Sequence, residues 1–184
     1  MPPTPEIPFD VSYVFPDGLR AEPVDHASMR AAIDWLESAA EELGGRERIR
    51  LLGLAGAHAG IVRDLERARR LLSAALVDAV AIGDDRLTAV NEIRLADVVA
   101  LGGAPGTAVA MLEGLLAAGV AQDLEDFVHQ HLGKAYLEAG NRRAALASFQ
   151  RALELREGKG DEELLASTRA ALDAATSEGG GSVR

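Results

Sequence analysis

Residues 126–159 read DFVHQHLGKAYLEAGNRRAALASFQRALELREGK. The apolar positions recur at helical spacing. Val128, Leu132, Ala135 and Tyr136 fall on one face of a first helix, and Ala145, Phe149, Ala152 and Leu153 on one face of a second. Gly140 stops the first helix, because glycine accepts the left-handed conformation that closes one. Asn141 can cap the second through its side-chain oxygen. Gly133, Ala145 and Ala152 are small enough to let two backbones approach, and Tyr136 and Phe149 fill the space left beside them. The stretch predicts a helical hairpin.

Working outward, two earlier segments repeat the arrangement. With Ala145 set on Ala68, Gly133 falls on Gly56, Phe149 on Leu72, Ala152 on Ala75, and the cap Asn141 on Asp64. Between them Leu95, Ala96 and Val99, then Ala108, Leu112 and Leu115, form a third copy. The order Leu132, Gly133, Tyr136, Ala145, Phe149, Ala152 resembles the tetratricopeptide repeat (TPR). Ala68, Ala108 and Ala145 stand 40 and 37 residues apart, against about 34 in that family. The surplus is expected in longer helices and in turns such as residues 82–85. The family's opening Trp is Leu52, Glu92 and His129 here, and its closing Pro is Val80, Val120 and Glu157.

The resemblance implies an all-α, right-handed α-α superhelix, a TPR-like solenoid of about eight antiparallel helices. The expected helical domain covers residues 25–176, with repeats at about 49–83, 89–122 and 126–159. A leading helix is capped by Asp25 and ended by Gly44 and Gly45. A capping helix at 161–175 keeps one face polar, as a solenoid end requires. Residues 177–184, SEGGGSVR, are too poor in apolar groups to order. Gly53, Gly56 and Gly60 weaken one expected helix by about 1 kcal/mol each, which argues that they mark close helix crossings.

Residues 1–24 differ from the rest. They hold six of the seven prolines, which forbids a long helix. Ile7, Phe9, Val11, Tyr13 and Phe15 alternate with Pro8, Asp10, Ser12 and Val14, as in an extended arm with one apolar face. Pro16-Asp17-Gly18 is a turn signal. Two readings stand: a flexible tail, or an arm docked on this chain or on a second copy.

Composition narrows the function classes. A hydrophobic share of 48% supports a core, and a net charge of −10 argues against nucleic acid as partner. Cysteine is absent, which removes disulfide and thiolate chemistry. No apolar run approaches the roughly 20 residues a membrane helix needs, and the first residues lack the pattern of a signal peptide; a cytoplasmic protein without membrane contact is expected. Lys134 and Lys159 are the only lysines, so arginine carries the positive charge, a bacterial-like genome bias.

No catalytic constellation emerges. His129 and His131 are two apart and point to different sides of a helix, so they cannot share a metal as His pairs four apart do. Glu41-Glu42, Asp84-Asp85 and Glu162-Glu163 read as solvated faces or helix starts. Residues 102–106, GGAPG, are similar in outline to a phosphate loop, but no Lys-Ser/Thr follows. The expectation is a non-enzyme with no cofactor and no metal.

In the TPR family, first helices line a concave groove, and the resemblance implies a binding surface of Arg50, Leu54, Val90, Ile93, Arg94, Asp97, Phe127, Gln130, His131 and Lys134. Ala57 and Glu138 extend it. One subclass grips chaperone C-termini with a Lys/Asn clamp; its positions here are Gly53, Ala57, Phe127 and His131, so that partner does not carry over. The implied activity is protein or peptide binding by an adaptor, with Arg94 and Lys134 favouring an acidic peptide. The alternatives are self-assembly, in which the N-terminal arm makes a homo-oligomer or fills its own groove, and a small-ligand sensor or enzyme.

Overall fold

The computed structural model describes residues 6–119 and 122–177. The first five residues of the expected arm, Val120 and Ala121 of the middle copy, and all but Ser177 of the expected tail lie outside that range. Of the described residues 76% are helical and 2% are in strands, an all-α architecture.

Among the described residues there are eight α-helices: α1 (His26–Glu41), α2 (Gly45–Ile61), α3 (Leu65–Ala81), α4 (Asp85–Leu101), α5 (Pro105–Ala117), α6 (Glu125–Glu138), α7 (Arg142–Glu157) and α8 (Glu162–Ser177). A single 3-10 turn, Gln122–Leu124, precedes α6. The caps follow side-chain chemistry. Asp25 accepts from the Ala27 and Ser28 N–H groups, Asp64 from Arg67, Asn141 from Ala144 and Asp161 from Leu164. Pro105 opens α5, where a missing N–H costs nothing. Helix α1 packs on α2, α2 on α3, α5 on α6, α6 on α7 and α7 on α8.

The chain divides into two compact units, one of residues up to 14 plus 21–98, the other of 15–20 plus 99 onward. In the first unit Met29, Ile33 and Leu36 of α1 meet Ile49, Leu51 and Leu52 of α2, Leu71 and Leu72 of α3, and Leu87 and Val98 of α4. Gly53, Gly56 and Gly60 of α2 sit at close crossings. A Cβ on Gly56 would stand 2.6 Å from Leu72 Cγ, and one on Gly60 would stand 3.2 Å from Val98 Cγ2. Full burial of a leucine, worth about 1.5–3 kcal/mol, offsets the weak helix propensity there. Arg67 of α3 ties back to α1 through Asp34 at 2.7 Å and Glu37 at 2.8 Å.

In the second unit Ala145, Phe149, Ala171 and Ala175 form a buried cluster, bordered by Tyr136, Leu137, Leu146, Leu172 and Leu19. The Phe149 ring lies against Gly133, where a Cβ would overlap it. The three small-residue triplets aligned in the sequence, Ala68/Leu72/Ala75, Ala108/Leu112/Leu115 and Ala145/Phe149/Ala152, are all buried.

The N-terminal segment shows period-two burial over part of its length. Ile7, Phe9 and Val11 are half-buried, while Glu6, Pro8, Asp10 and Ser12 are exposed. Ile7 and Val11 pack on the first unit's core. The alternation stops there: Tyr13 is 47% and Phe15 37% exposed. From Tyr13 the backbone pairs instead, β1 (Tyr13–Val14) running antiparallel to β2 (Glu22–Pro23). Between the strands the Gly18 N–H donates to the Phe15 carbonyl at 3.1 Å. Gly18 has φ +75, and a Cβ there would meet the Ala170 carbonyl oxygen at 2.7 Å. Asp17 Oδ1 accepts from the Leu19 and Arg20 N–H groups at 2.8 and 2.7 Å, completing the turn.

Candidate functional site

Six of the ten implied groove residues lie in the first unit. Arg50 is half-buried and donates to Glu47 Oε1 at 2.8 Å within its own helix. Leu54 packs on the core. Val90 and Asp97 are half-buried, and Ile93 is buried at 4% exposure. Arg94 is half-buried and, among the described residues, forms no hydrogen bond or ion pair. Burial pushes its pKa below the ordinary value, with the nearby Tyr13 hydroxyl working in the opposite direction.

The second unit holds the other four. The Phe127 ring centroid lies 5.2 Å from Arg156 Cζ and 5.9 Å from Lys159 Nζ. Gln130 is buried at 5% exposure and accepts from Arg156 Nη1 at 3.3 Å. Gln130 therefore serves the interior of the α6–α7–α8 packing, while Phe127 is half-buried. His131 and Lys134 are half-buried. Lys134 Nζ sits 5.5 Å from the Phe15 ring centroid, within cation–π range.

The residues 15–20 dock on the second unit by three kinds of contact. Phe15 covers Lys134, Leu19 enters the apolar cluster, and Arg20 Nη2 reaches Glu138 Oε1 at 3.1 Å. In the first unit Tyr13 acts electrostatically on Arg94, and Arg63 Nη2 donates to the Ala21 carbonyl at 3.4 Å. Tyr136 hydrogen-bonds Glu113, which pushes its phenol up to about 12.

No family model, no curated protein and no solved structure matches this chain.

The structure adds features absent from the sequence reading. Arg156 is 2% exposed, with Nε 3.0 Å from Asp126 Oδ2. Its Nη1 donates to Gln130, Thr168 and the Leu164 carbonyl, while Lys159 Nζ reaches Asp126 Oδ1. Helical spacing carried a signal. Arg156 is four residues after Ala152 and seven after Phe149, so it belongs on the buried face. His58 and Asn91 are also buried, with His58 Nδ1 and Asn91 Oδ1 lacking partners. Burial holds His58 below its ordinary pKa, and the Arg94 charge adds to the effect. Among the described residues no group of three or more His, Asp or Glu is placed to hold a metal ion, and no helix is long and apolar enough to cross a membrane.

Proposed function

We propose that this chain is a non-catalytic protein- or peptide-binding module built from three TPR-like helical hairpins. One observation carries the reading. The signature positions make the same contact in two separate hairpins, glycine against the large residue: Gly133 meets Phe149, and Gly56 meets Leu72. Such a contact sets the spacing of paired helices, and stacked pairs of this kind form right-handed solenoids with a ligand-facing surface. Arg50 and Arg94 in the first unit, and His131 and Lys134 in the second, are each partly exposed, and these are the side chains offered to an acidic partner. Phe127 is half-buried as well, and buried Gln130 contributes through the packing of α6 instead.

A second reading has its own support. The Lys134 ammonium stands over the Phe15 ring in the second unit, and Tyr13 acts electrostatically on Arg94 in the first, which supports an N-terminal segment close to proposed contact residues. In this reading the proline-rich arm fills its own groove as an internal ligand, or that of a second copy in a homo-oligomer.

Affinity capture from the native cell tests both. The R94Q/K134Q variant is expected to lose the proteins that the parent chain retains while keeping its helical circular dichroism; an unchanged set would sink the groove assignment. Deleting residues 1–18 is expected to increase capture if the arm competes. A fall in solution mass by light scattering after the same deletion would instead identify the arm as the clasp of an oligomer.

A further inference from the structure

In the first unit α2 and α4 approach at Gly53. A Cβ there would overlap Asn91 Oδ1 and stand 2.8 Å from Arg94 Nη1, so the absent side chain is what gives the guanidinium its seat. Asn91 is 1% exposed. Its Nδ2 donates to the Leu87 carbonyl at 2.8 Å, which settles which amide atom faces Gly53, and its Oδ1 is left without a donor. Arg94 has five N–H donors and no acceptor among the described residues. A guanidinium half out of water with no counter-ion is an unfavourable arrangement, and a matched anion relieves it.

We propose that Arg94, seated in the gap at Gly53 and flanked by Asn91, is a receptor for a single carboxylate, free or carried on a peptide. A slight rotation of the guanidinium gives one N–H to Asn91 Oδ1 and leaves the outer fork for the ligand, whose two oxygens match it. A carboxylate suits the site better than a phosphate dianion, because Arg94 is the only cation that the contacts at Gly53 bring in. The inference deepens the groove reading, on which it rests only for a carboxylate delivered by a peptide.

The test is an NMR titration of the full chain labelled with 15N, following the Arg94 side-chain and His58 imidazole signals at constant ionic strength. The probes are sodium acetate, sodium chloride, sodium phosphate, and two terminally amidated glycine peptides with a central Asp or Asn. Acetate and the Asp peptide are expected to shift both signals to saturation; chloride and the Asn peptide are not. Arg94→Gln should weaken acetate binding roughly tenfold or more, the loss expected for a hydrogen bond to a charged group. Gly53→Ala keeps the charge and should weaken binding as well, by displacing the guanidinium. Binding of acetate but not of the Asp peptide would support the site with a free small carboxylate as ligand. The proposal fails if acetate acts no differently from chloride, if the His58 shift survives Arg94→Gln, or if phosphate alone saturates. Failure with acetate while partner capture still depends on Arg94 would overturn the carboxylate assignment and leave the groove reading standing.

Discussion

Arg156 Nε donates to Asp126 Oδ2 across 3.0 Å, and both side chains are closed to solvent. The pair joins the start of α6 to the end of α7, and Thr168 of α8 takes a further bond from the same guanidinium. A buried pair of this type is costly to break, because the surviving charge has no water to turn to.

Asp126→Ala should therefore destabilise the chain by about 3 kcal/mol or more, the range found when one partner of a buried pair is removed. The double change D126L/R156M removes both charges and should recover most of that loss. Urea unfolding followed by circular dichroism measures both. Equal losses in the single and double variants would mean that side-chain volume, not charge, governs the site.

The glycines divide into two kinds. Gly133→Ala drives a methyl into the Phe149 ring, and overpacking of this sort costs about 1–3 kcal/mol, more than the roughly 1 kcal/mol that alanine adds to helix propensity. Gly114 of α5 is exposed with nothing within 4 Å of a Cβ, so Gly114→Ala should raise stability by up to about 1 kcal/mol. Melting temperatures that move in the same direction for both variants would contradict this.

Stability should fall on mild acidification. Burial is the main cause holding both His58 and His129 below their ordinary pKa, with Arg94 assisting at His58 and Glu125 opposing at His129. Below about pH 6.5 the unfolded chain therefore takes up protons that the folded chain refuses, and stability declines as pH drops until the folded histidines titrate. Glu37, held low first by its hydrogen bond to Arg70, acts only below the ordinary carboxylate range. Urea midpoints at pH 7.5 and 5.5 should differ in the parent chain and converge in H58Q/H129Q. A parallel decline in both proteins would remove the histidines from the explanation.

Gly18→Ala should free the N-terminal turn without unfolding the helices. Its φ of +75 disfavours a side chain, and the new methyl would press on the Ala170 carbonyl. Limited proteolysis should then cut within residues 13–24 faster than in the parent, with the helical signal unchanged. Identical cleavage rates would show that the turn does not hold the segment down.

Local chemistry explains why much of the helical layout was legible. The caps at Asp25, Asp64, Asn141 and Asp161, the stop at Gly140 and the opening Pro105 act within four residues of themselves. Helical spacing likewise placed Ala68, Ala108 and Ala145 on buried faces. The site was less legible. Gln130 carries the polarity of a groove residue, yet Arg156, on the next helix, draws it into the interior. The alternation from Ile7 to Phe15 was read as one apolar face, but it ends at Val11 because β1 pairs with β2 and the Asp17–Gly18 turn redirects the chain.

By itself the sequence determined the helices, their ends and which faces are apolar, since propensity, capping and period are properties of neighbours along the chain. Only the tertiary structure decided which polar groups are buried together. Asp126 with Arg156, and Arg94 beside Asn91 at the bare Gly53, lie on different turns or different helices. Their charge states and partners depend on the distance and water exclusion that packing imposes.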